Sequence, residues 1–187
     1  SIGYIHIGGE IKRLLTILLL SFGFGAVINV PDDYTYIQDG IDAAMEGDTV
    51  LVDQGVYYEN LIINKNITLA SHAIYDDLSQ WYEFSTTFGQ YEITNENIIY
   101  TMINGNDDTN GEDLQSTILI NSPEDECISP IIFGFTITGG DGTLVPHEEE
   151  DIEEMRGGGV LSYNALPTLN YNFIKENSSP DLDKGGA

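Results

Sequence analysis

The sequence predicts an all-β fold, a right-handed parallel β-helix: a solenoid of stacked short strands with an N-terminal capping α-helix. Three observations carry that expectation. Between Thr49 and Ala70, β-type runs of three or four residues alternate with turns of two or three. That spacing is too tight for a row of long-stranded hairpins and suits a chain that coils. One amphipathic helix precedes the strands, and later segments echo one another at solenoid-like spacing.

The first 26 residues form a separate unit. Lys12 and Arg13 lead into the apolar run from Leu14 to Leu20, followed by Ser21-Phe22-Gly23-Phe24-Gly25-Ala26. A positive start, a short apolar stretch and small residues at its end mark a secretory signal peptide. The stretch is shorter than the ~20 residues a membrane-crossing helix needs. Cleavage near Gly25 or Ala26 therefore fits better than a permanent anchor; an uncleaved signal anchor is the alternative. The residues before Lys12 do not resemble a signal start and residue 1 is Ser, so the expectation is a misplaced or truncated beginning. A secreted or cell-surface protein, with no stable membrane insertion after cleavage, is expected.

Residues 27–187 are expected to be the N-terminal part of the β-helix domain, cut short at the C-terminus. Val27-Ile28-Asn29-Val30 is a short strand stopped by Pro31. Thr35 and Gln38 have the spacing of a capping box. Ile37, Ile41, Ala44 and Met45 then form one apolar stripe with Gln38, Asp39, Asp42 and Glu46 away from it, and Gly47 is the natural stop. Residues 35–46 read as a helix. Strands follow at Thr49–Val52, Val56–Tyr58, Leu61–Ile63 and Ile67–Ala70. Gly47, Gly55 and Gly134 are expected at sharp corners.

Residues 72–116 break the pattern. They hold Trp81 and many of the tyrosines, too much aromatic surface for a disordered segment. The expectation is an elaborated loop with two strands, Tyr91–Ile93 and Ile98–Ile103. The coil pattern resumes at Thr117–Ile120 and continues at Ile131–Gly140. An acidic insertion interrupts it, with six acids in the seven residues 148–154. Like charges there repel, so a solvated loop is expected, with cation binding as the weaker reading. Phe135-Thr136-Ile137-Thr138 echoes Asn172-Phe173-Ile174-Lys175, and Gly158-Gly159-Val160 echoes Gly185-Gly186-Ala187, 27 residues on. Asn66, Asn172 and Asn177 fall at turns, either as ordinary turn residues or as members of stacked amide ladders.

The run from Ile37 to Asn60 (IQDGIDAAMEGDTVLVDQGVYYEN), with Ile63-Asn64-Lys65-Asn66-Ile67-Thr68-Leu69, resembles the N-terminal signature of pectin-lyase-like right-handed β-helix proteins. Gly134–Gly140 and Gly157–Val160 with Pro167-Thr168-Leu169 look like later coils of secreted repeat members. The resemblance covers most of residues 30–70 and 117–187. It implies the fold more than an activity, because the same opening introduces polysaccharide lyases, pectin esterases, adhesin-like proteins and members with no assigned function.

The charge narrows the partners. There are 31 acidic residues against 6 basic ones, a formal net charge of −25. Phosphate recognition needs clustered Lys and Arg, so nucleic acid is excluded as a partner. Polyanionic ligands are disfavoured unless a divalent cation bridges the like charges. Cys127 is the single cysteine, so no disulfide forms within the chain; amid Ile128, Ile131 and Ile132 it reads as a small buried hydrophobe.

No catalytic set is legible. By the resemblance, a lyase would need calcium-binding carboxylates and a Lys or Arg base, but Lys65, Arg156, Lys175 and Lys184 match no such motif. A hydrolase of that kind would carry an Asp triad and a Gly-His-Gly, and neither His72 nor His147 has that context. The pairs Asp32-Asp33, Asp76-Asp77 and Asp107-Asp108 read as surface charge, since neighbours on a strand point to opposite faces. Calcium is the candidate ligand of one loop: Asn106, Asp108 and Asn110 alternate before Gly111, like the first half of an EF-hand loop. Position 12 of that pattern is Thr117 rather than Glu. The functional expectation is a secreted or cell-surface scaffold that binds polysaccharide or another surface ligand without catalysis in this segment. The alternative is a polysaccharide lyase or glycoside hydrolase whose site lies in later coils.

Overall fold

The computed structural model describes residues 25–106, 114–123, 126–146 and 153–179. The signal segment therefore lies almost wholly outside the described residues, as do His147, the second glycine echo, Lys184 and most of the acidic insertion. Among the described residues, no helix is long and apolar enough to cross a membrane.

The first strand, β1 (Val27–Val30), leads into α1 (Ile37–Ala43), then β2 (Thr49–Val52), β3 (Gly55–Tyr58), β4 (Leu61–Ile63) and β5 (Thr68–Ser71). Two 3-10 turns, a hairpin of β6 (Tyr82–Ser85) and β7 (Gln90–Ile93), α2 (Glu96–Tyr100) and β8 (Thr101–Asn104) follow. Then come β9 (Leu114–Gln115), β10 (Ile118–Asn121), β11 (Ile131–Phe133), β12 (Thr136–Thr138), β13 (Gly142–Pro146) and β14 (Glu153–Arg156). The described part ends with β15 (Val160–Tyr163), β16 (Thr168–Asn170) and β17 (Phe173–Ile174).

These strands correct the expected fold class. Among the described residues they form five separate sheets, parallel and antiparallel, beside two α-helices, and no sheet closes or winds as a solenoid. The parallel sheets are β1-β2-β5-β11-β16, β17-β12-β8-β3 and β15-β10-β4. The antiparallel ones are β14-β13-β9 and β6-β7. Mixed α and β architecture replaces the all-β right-handed parallel β-helix. The physical reason lies in the insertions. Strand β13 turns back on β14 through Thr143–Arg156 and Leu144–Met155 pairing, and the hairpin turns back through Gly89. Ile98–Tyr100, expected as strand, is helical because the Asn95 side chain accepts a hydrogen bond from the Ile98 amide (3.0 Å) and starts a turn.

One apolar core serves the parallel sheets. Val30, Val50, Val52, Leu61, Ile63, Leu69, Ile118, Ile120, Ile132 and Ile137 are all fully buried in it. Ile37 and Ile41 bring the α1 face onto the same cluster. Burying each such side chain stabilises the fold by roughly 1.5–3 kcal/mol. The echo of residues 135–138 with 172–175 is a true register: Thr136 pairs with Phe173 and Ile137 with Ile174.

The helix is held by residues far from it in sequence. Tyr36 at the N-cap makes no side-chain cap, so the Thr35–Gln38 capping box is not formed. The Glu59 carboxylate takes that role, accepting from the amides of Ile37 (2.9 Å) and Gln38 (2.9 Å). At the other end the Lys65 ammonium donates to the carbonyls of Ile41, Asp42 and Ala44 at 3.0–3.2 Å. The stripe ends sooner than expected: α1 stops at Ala43, and Met45 is exposed.

The turn asparagines bond backbone rather than one another. Asn66 Oδ1 accepts from Ser129 N (2.6 Å). Asn172 accepts from Phe135 N (3.0 Å) and donates to Ile132 O (2.9 Å). Asn177 accepts from Gly140 N (2.9 Å) and donates to Ile137 O (3.0 Å). Each thus ties a turn to the neighbouring strand. Gly134 is a corner as expected, with φ +80°. A Cβ there would lie 2.6 Å from Ser71 Oγ, so a side chain is excluded by space as well as by dihedral. Gly55, by contrast, opens β3 with no positive φ.

Candidate functional site

The feature that points outward is a run of aromatic rings on the β6–β7 hairpin. Tyr82, Phe84 and Tyr91 alternate along the two strands. Cross-strand pairing sets Tyr82 against Ile93 and Phe84 against Tyr91. Cross-strand partners share a face, so these four lie on one side of the ribbon, and Glu83 opposite Glu92 lies on the other. Tyr82, Phe84 and Tyr91 are each about half exposed or more.

The rings touch edge to face. Phe84–Tyr91 centroids are 5.3 Å apart, Tyr82–Tyr91 5.4 Å and Trp81–Tyr82 5.2 Å. The run then leaves the hairpin: Trp81 meets Tyr171 at 5.7 Å, and Tyr171 meets Phe133 at 5.2 Å. Such pairs contribute about 0.5–1.5 kcal/mol each beyond burial and hold ring angles fixed. Tyr171 adopts φ 55° in the turn between β16 and β17. That left-handed conformation costs a non-glycine residue about 1 kcal/mol, and here it carries the ring to Trp81.

Trp81 and Tyr171 wall a cleft of about 860 Å³, with Leu78, Ser79, Gln80, Tyr82, Glu83 and Thr94. Two hydrogen bonds tie its lining together: Thr94 N donates to Trp81 O (2.9 Å) and the Thr94 hydroxyl to Gln80 O (2.8 Å). Asp77 accepts from Ser79 N (3.0 Å), which shapes the 3-10 turn at the rim and lowers the Asp77 pKa. Aromatic walls with polar rim groups can stack a flat or ring-shaped ligand and bond its hydroxyls.

The other candidates resolve differently. Asp76 accepts from the amides of Asn95 and Asn97, both at 2.8 Å, and these bonds hold its carboxyl below the usual range. Asp33 accepts from Asn29 N (2.8 Å). Both described acid pairs thus have a member that shapes a turn; Asp107-Asp108 lies outside the described residues. His72 Nε2 sits 2.6 Å from Asp53 Oδ1, on neighbouring β5 and β2 ends. The adjacent Ser71 hydroxyl is buried and already donates to Gly134 O (2.5 Å), so it does not serve this pair as a nucleophile. Lys65 is committed to α1 and is no base.

Of the calcium candidates, Asn106 is exposed and its amide donates to Asn104 Oδ1 (3.0 Å). Asp108 and Asn110 lie outside the described residues. Among the described residues no group of three or more His, Cys, Asp or Glu side chains is placed to hold a metal ion. Cys127 is exposed rather than buried, because it follows the Pro123 turn before Ile128 enters the core.

Trp81 and its neighbouring tyrosines are too aromatic for disorder by sequence, but β6 and the site are not among the sequence expectations. The legible signal was Tyr82-x-Phe84 and Tyr91-x-Ile93, two alternating runs flanking Gly89. Neither a scan against family models nor a search of curated proteins finds a match to this chain.

Proposed function

We propose that this chain is a secreted or cell-surface scaffold that binds a glycan, without catalysis, through the Trp81–Tyr82–Tyr171 cleft. The observation that carries the reading is the exposed, edge-to-face aromatic run beside polar rim groups. Pyranose rings have apolar C–H faces that stack on aromatic faces and hydroxyls that bond amides and carboxylates. Aromatic stacking of a ring ligand is worth about 1–3 kcal/mol per unit by analogy with base stacking.

Trp81 is the single tryptophan, so its fluorescence reports the cleft directly. Titration with soluble glycans is expected to shift or quench it saturably, and Trp81→Ala to abolish binding in calorimetry. Release of reducing or unsaturated sugar ends from polysaccharide, with calcium supplied, would sink the non-catalytic reading.

A further inference from the structure

Building on that glycan reading, we infer that the ligand is a neutral oligosaccharide of β-linked, all-equatorial pyranoses that spans two subsites, one on each hairpin strand. A second cleft of about 370 Å³ opens beside β7, walled by Tyr91, Phe173 and Lys175. Both clefts have paired walls from the same two places. On the hairpin, Tyr82 borders the first and Tyr91 the second, with their rings 5.4 Å apart on one face. On the parallel sheets, Tyr171 borders the first and Phe173 the second, two residues apart across one turn. The two clefts adjoin on the hairpin, where the Tyr82 and Tyr91 rings meet edge to face. A ligand short enough to sit in the first cleft alone would use only half of this surface.

The chemistry of the units follows from charge and shape. Glu83 and Glu92, though on the ribbon face away from the rings, still reach the rims of the first and second clefts, in a chain of formal net charge −25. A uronate polymer would set a carboxylate against each. Lys175 does not reverse this: its ammonium lies 5.6 Å over the Phe173 ring and 3.8 Å from Glu176. It is placed to donate to hydroxyls. A β-1,4 link turns each unit over relative to the last, so the aromatic walls of the two clefts meet alternate sugar faces; all-equatorial hydroxyls leave both faces apolar, and an axial hydroxyl spoils one of them.

The test is calorimetry of the full chain against β-1,4-linked glucose oligomers of two to six units, with oligogalacturonate for comparison. Affinity is expected to rise about tenfold from the dimer to the longest oligomer. Tyr91→Ala, at a site two-thirds exposed, is expected to weaken the longest oligomer more than the dimer and so to flatten the gain with length. Oligogalacturonate is expected to bind at least about tenfold more weakly. Affinity flat with length, or Tyr91→Ala weakening dimer and hexamer equally, would overturn the second subsite while the glycan reading stands. Oligogalacturonate binding as tightly as the glucose oligomers would overturn the neutral class. Absence of binding to any glycan would overturn this inference and the glycan reading together.

Discussion

Glu59 lies at the corner between β3 and β4, yet it starts a helix that begins 22 residues earlier. Its carboxylate accepts from the first two amides of α1 at 2.9 Å each, and the residue is only 7% exposed. A seven-residue helix is marginal alone, so its stability depends on such tertiary capping. Glu59→Ala leaves two amides without their acceptor near the core. Hydrogen bonds to charged groups contribute about 1.5–3 kcal/mol each, so a loss of about 3 kcal/mol is expected for the pair. Glu59→Gln keeps one acceptor and is expected to cost about half as much. For a chain of this size the Ala variant would lower Tm by about 6–12 °C. Urea unfolding followed by far-UV circular dichroism and Trp81 fluorescence measures both. A Glu59→Ala variant within about 0.5 kcal/mol of the parent would refute the capping argument.

Two further outcomes test the frame. Lys65→Met keeps the stem but removes the ammonium from the carbonyls of Ile41, Asp42 and Ala44, and is expected to cost about 1–2 kcal/mol in the same unfolding assay; an unchanged midpoint would show that these carbonyls need no cation. Asp76 has its folded pKa lowered by the Asn95 and Asn97 amides, so its contribution to stability is present above the ordinary carboxylate value and is lost as pH falls through the lowered folded value. Asn97→Ala should raise the Asp76 midpoint toward the ordinary value in a carboxyl NMR titration, and a midpoint that does not move would contradict the assignment.

Local structure was legible where the signal is periodic. Thr49–Val52 and Leu61–Ile63 are strands with the expected bounds, because alternation and turn residues define them without help from distant contacts. The echo of Phe135–Thr138 in Asn172–Lys175 reports a real strand register. The sheet arrangement was not legible. Short apolar runs say that strands form, but not where the chain turns back to pair antiparallel, as β6–β7 and β13–β14 do. Side chains acting over long separations were also hidden: no local pattern reveals that Glu59 caps α1. The site was half legible. The density of Trp and Tyr in 72–116 demanded an ordered environment, but the rings pack on one another at the surface rather than into the core, and Tyr171 joins them from a distant turn.

The central claim is that the Trp81 cleft receives a sugar ring. Trp81 fluorescence, titrated with a β-1,4-linked glucose oligomer beside a Tyr171→Ala variant, tests it most directly. The account predicts a saturable change in the parent and a binding constant weakened about tenfold or more in the variant, which loses one wall. A saturable signal of equal affinity in both proteins, or no signal with any glycan in the parent, would contradict it.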